Sequence, residues 1–183
     1  WNIERVNAPE VWEMGIDGSG TVVASIDTGV QWDHPALKEK YRGYNPATGQ
    51  VSHDYNWYDA TSAGGAIPYD DQDHGTHVTG TMVGSEPNGS NKIGVAPGAK
   101  YIAVKAFTAN GGSDVDLLEA AQWILAPTDA NGNPRVDMAP DVVNNSWGGG
   151  PGLDEWYRDV VINWRAAEIF PEFSAGNTTF SNP

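Results

Sequence analysis

Cysteine is absent from the 183 residues, which excludes a disulfide, a thiolate metal site and a thiol nucleophile. Cations are scarce as well: Lys and Arg number 10 against 24 Asp and Glu, a net charge of −14. A field of that sign repels phosphate backbones and anionic headgroups, so neither nucleic acid nor a membrane surface is an expected partner. Apolar runs fall far short of the roughly 20 residues that cross a bilayer. The opening Trp1-Asn2-Ile3-Glu4-Arg5 has no basic-then-apolar character, so the expectation is a mature soluble polypeptide with any leader removed.

The length suits one domain, or most of one, with a real core. No internal repeat, linker or low-complexity tract divides residues 1–183. Val6, Val11, Trp12 and Met14 lie at roughly helical spacing near Asn7 and Pro9 and predict a short N-terminal helix. Residues 21–26 form a short, β-branched apolar run ending at Asp27-Thr28-Gly29, which suits a buried strand with Asp27 at its carboxyl end. Residues 31–73 are rich in Gly, Asn, Asp, Tyr and Trp with weak periodicity and read as irregular surface, with a short strand near Tyr55-Asn56-Trp57.

Further along, residues 74–83 read as a helix and 100–107 as a second apolar strand. Ser113-Asp114-Val115-Asp116 resembles a variant capping box and opens another helix. A strand follows at 141–145, an amphipathic helix at 153–168 and a last strand at 169–173. Strands alternating with helices argue an α/β fold with a mainly parallel sheet and helices on both faces. In such sheets functional groups gather beyond the carboxyl ends of the strands. Asp27 and Asn177 fall at such ends, and His74 starts a helix.

A carboxylate, an imidazole and an amide donor beside glycine are most of the parts of a serine-dependent acyl-transfer site, and Asp…His…Ser is one of the chain orders such a triad takes. The motifs Asp27-Thr28-Gly29, His74-Gly75-Thr76-His77-Val78-Thr79-Gly80, Gly94-Val95-Ala96-Pro97, Asn145-Ser146-Trp147-Gly148 and Ser174-Ala175-Gly176-Asn177 resemble, in order, those of subtilisin-like serine proteases. The resemblance implies that Asp27 orients His74, that His74 is general base and acid, that Asn177 donates to the oxyanion and that His77 is structural. It implies a substrate held as a strand between Gly111-Gly112-Ser113 and Ser146-Trp147-Gly148-Gly149, with broad endopeptidase activity and an extracellular location.

The nucleophilic Ser motif of that family has no counterpart before Pro183. The expectation is therefore the N-terminal part of a peptidase domain, inactive alone, whose partner is a downstream fragment carrying the Ser. Protein or peptide substrates, and a propeptide, complete the expected partners. No cofactor is expected for the chemistry. Structural calcium stays open: relatives bind it through the loop before Gly-Val-Ala-Pro, here residues 85–92, and through an Asp after His-Pro, but Ala36 follows His34-Pro35. Asp129, Asn131 and Asn133 also alternate like the start of a calcium loop, although Pro134 stands where the turn glycine belongs. Two other readings remain: a metal-dependent hydrolase built on Asp71, Asp73, His74 and His77, and a protease-like binding domain without a nucleophile.

Overall fold

Alternation along two short apolar strands sets the architecture. In β1 (Val22–Asp27) and β3 (Lys100–Lys105), successive residues face opposite sides. Ala24, Ile26, Ile102 and Val104 join one core cluster, and Val23, Tyr101 and Ala103 join another. A strand buried on both faces has no polar side, which is why these runs are continuously apolar. With β2 (Trp57–Asp59), β4 (Val142–Asn145) and β5 (Phe170–Phe173) they form one sheet of order β2-β3-β1-β4-β5, parallel throughout. The computed structural model describes residues 1–149, 152 and 155–177.

Helices cover both faces, as expected. The α3 helix (His74–Val83) packs on β1 and β3 on one side, while α4 (Asp114–Leu125) packs on β1 and β2 and against α5 (Arg158–Ala166) on the other. The capping box is present: Ser113 Oγ accepts from the Asp116 amide, and the Asp116 carboxylate accepts from the Ser113 amide. Aspartate at the third position does the work usually given to glutamate. Trp164 anchors α5 with 0% exposure and donates its indole N–H to the Ala121 carbonyl at 3.1 Å.

Three expectations need correction. The N-terminal helix is two, α1 (Asn2–Arg5) and α2 (Ala8–Glu13), because Asn7 is left-handed with φ 57° and ends the first turn. The helix placed at 153–168 starts only at Arg158; Leu153 and Asp154 lie outside the described residues. The stretch 31–73 is not mere surface. Leu37, Tyr41 and Trp57 are buried in it and build most of the second cluster with Val30, Val83 and Tyr101. His53 is half-buried beside them, its Nδ1 3.1 Å from the Tyr41 hydroxyl.

From β1 the chain runs out to β2 at one edge, returns through β3 beside β1 and then crosses to β4 on the other side of β1, so the direction of winding reverses there. A crevice opens at the carboxyl ends of strands where this happens.

Removing the α5 anchor tests the packing. Trp164→Ala is expected to cost about 3–5 kcal/mol, read as a lower denaturant midpoint with the slope unchanged.

Candidate active site

The crevice holds a hollow of about 340 Å³ lined by Asp27, Thr28, Gln72, His74, Phe107, Thr108, Ser146 and Trp147. Asp27 comes from the end of β1, Phe107 and Thr108 follow β3, and Ser146 and Trp147 follow β4. Asp27 Oδ1 lies 2.7 Å from His74 Nδ1. The Asp27 side chain is 3% exposed and that of His74 54%. A buried carboxylate therefore holds one ring nitrogen while the other side of the imidazole is open to solvent. Such an arrangement fixes the tautomer with Nδ1 as donor and leaves Nε2 to exchange a proton.

The placement of His74 depends on an unusual helix cap. Asp73, the residue before α3, is left-handed at φ 63° and its side chain makes no cap bond. The helix amides are satisfied from a distance instead. Gly75 N–H donates to Thr28 Oγ1 at 2.8 Å, and Thr76 N–H donates to Asp70 Oδ2 at 2.8 Å. Thr28 Oγ1 in turn donates to Asp70 Oδ1 at 2.8 Å, and the Thr76 hydroxyl to Asp70 Oδ2 at 2.6 Å. Because Thr28 is the neighbour of Asp27, the helix carrying the imidazole is capped by the segment carrying the carboxylate.

Two glycines make the approach close enough. A Cβ on Gly75 would lie 2.1 Å from the Gly29 carbonyl oxygen, and one on Gly29, whose φ is +106°, would lie 2.0 Å from that of Tyr69. Burial raises the Asp70 pKa, but the hydrogen bonds from Thr76, Thr28 and Gln72 outweigh it and leave the carboxyl below its ordinary 3.8.

The other expected residues are placed less uniformly. Trp147 forms a wall, its ring centroid 5.9 Å from the tilted ring of Phe107 and edge-to-face with Tyr157 at 5.2 Å and Phe173 at 5.8 Å. Ser146 accepts from the Asn144 amide at 2.9 Å, and Gly148 and Gly149 are exposed beyond it. Gly111 closes a tight turn, exchanging both main-chain bonds with Thr108, and the Ser113 amide is held by its capping box. Gly112 alone of that trio keeps main-chain groups free of a described partner. Asn177 is exposed, four residues past β5 on the carboxyl side of the sheet, and is not among the residues lining the hollow.

The metal-hydrolase residues do not converge. Asp71 pairs with Lys105 at 2.7 Å, His74 with Asp27, and His77 and Asp73 line a separate cavity of about 440 Å³ on the far side of α3. Among the described residues no three His, Asp or Glu side chains gather around a metal-sized point. In the two oxygen-rich loops the carboxylates already accept bonds from their own loop: Glu86 from Ser90 and Asn91, and Asp129 from the Asn131 and Asn133 amides.

Sequence reasoning missed Thr28, Asp70 and Lys105 as site residues. Asp70 and Thr76, six residues apart, meet only because the chain turns between them, and Lys105 is hidden as the last residue of an apolar strand.

The model of the Subtilase family matches residues 18–183. The chain is 70% identical over 184 residues to Bacillopeptidase F of Bacillus subtilis, covering 100% of this chain and 13% of that protein. It is 31% identical to the Minor extracellular protease Vpr of the same organism, covering 94% of this chain and 20% of that protein. The Major intracellular serine protease of B. subtilis is 34% identical over 88% of this chain. Among solved structures, a protease of Pseudoalteromonas arctica superposes with a TM-score of 0.70 at 24% identity, over 93% of this chain and 53% of that one. The chain thus spans 13% to 45% of the length of these curated relatives.

Asp70 gives the cap a pH signature. Its pKa is lowered on folding, so its contribution to stability is complete above 3.8 and is lost as pH falls through the lowered folded value. Asp70→Asn is expected to remove that acid-dependent component and to cost about 1–3 kcal/mol at neutral pH, measured by denaturant unfolding across an acid series.

Proposed function

Since the chain belongs to the subtilase family, we propose that it supplies the aspartate and histidine of a serine endopeptidase. The observation that carries this reading is the 2.7 Å bond between buried Asp27 and half-exposed His74 at the mouth of a hollow. The nucleophilic hydroxyl comes from polypeptide following Pro183, so residues 1–183 are the first part of the peptidase domain and do not cleave peptides alone. His74 Nε2 takes the serine proton as the hydroxyl attacks the scissile carbonyl, then returns it to the leaving amine. Asp27 keeps Nδ1 protonated and stabilises the imidazolium between those transfers. Water hydrolyses the acyl-enzyme by the same proton route in reverse.

Asn177 is the proposed side-chain donor to the tetrahedral oxyanion, with main-chain N–H groups beside it. Its exposed position beyond β5 leaves its amide unburied and available. The substrate runs extended along the hollow, pairing with main-chain groups of Gly112 on one side and of the segment Ser146-Trp147-Gly148-Gly149 on the other. Main-chain pairing of this kind accepts many sequences. Protein substrates outside the cell are the proposed targets, in line with relatives named as extracellular proteases. No helix among the described residues is long and apolar enough to cross a membrane. No proposed step passes through a metal ion.

Two measurements test the reading. His74→Ala in the full-length protease is expected to lower kcat/KM about 10⁴-fold or more, the scale of losing one triad member, with the fold intact by circular dichroism. A serine-directed phosphonylating reagent is expected to label one residue downstream of Pro183 in the wild type and to label it far more slowly in the variant. Full activity of His74→Ala would refute the assignment.

A further inference from the structure

Lys105 is the one fully buried cation among the described residues, at 0% exposure. It ends β3, in register with Asp27 of β1 on one side and Asp59 of β2 on the other. An ammonium has three protons to donate, and all three are used: to the Thr28 carbonyl at 2.6 Å, to Asp71 Oδ1 at 2.7 Å and to the Phe107 carbonyl at 2.9 Å. The Tyr69 ring lies 4.9 Å away.

Taking an ammonium out of water costs several kcal/mol, and a well-packed apolar side chain in its place is often as stable or more so. Fold stability alone is therefore a weak reason for a lysine here. The three acceptors point to another. Thr28 follows the carboxylate and caps the helix of His74. Asp71 belongs to the loop that leads into that helix, next to the capping Asp70. Phe107 lines the hollow and opens the segment running to Gly112.

We propose that Lys105 is a positioning residue, a buried three-way tie that holds the Asp27–His74 pair and the substrate-facing wall at Phe107 in one fixed relation. This rests on the serine protease reading above for its catalytic consequence, but the geometric claim does not. Lys105 touches no substrate; it acts through Thr28, Asp71 and Phe107. Its hydrogen bond is the main cause that lowers the Asp71 pKa, which favours the charged carboxylate as acceptor. A displacement of about 1 Å in such an assembly is enough to lose on the order of 100-fold in rate.

The test uses the full-length protease with Lys105→Met, which keeps an unbranched side chain and removes the donors. Asp71 is left without its partner, but its side chain is 50% exposed and can take up water. The expected result is a kcat at least fivefold lower per active site, with KM changed less than kcat. The downfield proton resonance of His74 Nδ1–H is expected to shift. A purely packing role would lower the melting temperature and leave kcat and that resonance alone. A fall in kcat of less than fivefold, or an unmoved resonance, overturns the proposal. Should Lys105→Met not fold, Asp71→Ala cuts one of the three ties at a half-exposed position and is judged by the same two criteria. A wild-type protein without turnover would defeat the protease reading instead, and the His74 resonance would then decide the positioning claim by itself.

Discussion

The bond from Thr28 Oγ1 to Asp70, together with the Gly75 amide that it accepts, is the constraint on which the site rests. The helix that begins with His74 does not use its own N-cap side chain, since Asp73 is left-handed and bonds none of the helix amides. Four N–H groups at a helix start need partners. Two of them find theirs in Thr28 and Asp70, which belong to the β1 end and to the loop before α3. Satisfying the helix and locating the histidine are thus one event. Any movement of α3 relative to β1 strips amides that are partly shielded from water, at a cost of about 1–3 kcal/mol each. The small residues at Gly29 and Gly75 are the steric condition for this arrangement, because a methyl group at either would sit within the van der Waals shell of a carbonyl oxygen.

The site also uses the topology. Reversal of strand order around β1 opens space at the carboxyl ends of β1, β3 and β4, and each strand delivers different chemistry to it. From β1 comes the carboxylate, from the end of β3 an aromatic wall and from the end of β4 a serine and a tryptophan. Two buried polar atoms on lining residues, Asp27 Oδ2 and Trp147 Nε1, have no hydrogen-bond partner among the described residues. Buried polar atoms are rarely left so in a complete site. Ser25 Oγ, Ser85 Oγ, Tyr101 Oη and Asn145 Oδ1 share this property on residues that do not line the hollow, so it is not confined to the site.

Much of this was readable from local pattern. Asp27 was legible because an apolar strand stops at Asp-Thr-Gly, and the α4 start because Ser113 and Asp116 stand at capping-box spacing. The parallel sheet followed from β-branched runs separated by helical ones. What escaped was of another kind. Leu37, Tyr41 and Trp57 are core residues in a stretch without periodicity, since Leu37 and Tyr41 flank a single 3₁₀ turn and Trp57 opens a strand of only three residues. The break at Asn7 depends on one left-handed residue. The partners of the histidine helix could not be seen at all, because a cap supplied by residues 28 and 70 leaves no signature at positions 73–76.

A chain with a net charge of −14 has few cations to spend, and Lys105 is buried where carboxylates crowd. Asp27 and Asp59 are its register neighbours and Asp71 its partner. Of these only Asp71 meets the ammonium, at 2.7 Å, and without that bond its half-exposed loop would tend to leave the strand end. The ammonium opposes that tendency and, by donating to two carbonyls as well, converts an attraction that has no direction into three bonds that have one. A counter-ion from solvent could supply the charge but not the geometry. That difference is why a lysine on the strand itself, and not a mobile cation, is the suitable device for keeping a carboxylate, an imidazole and the Phe107 wall of the hollow in register.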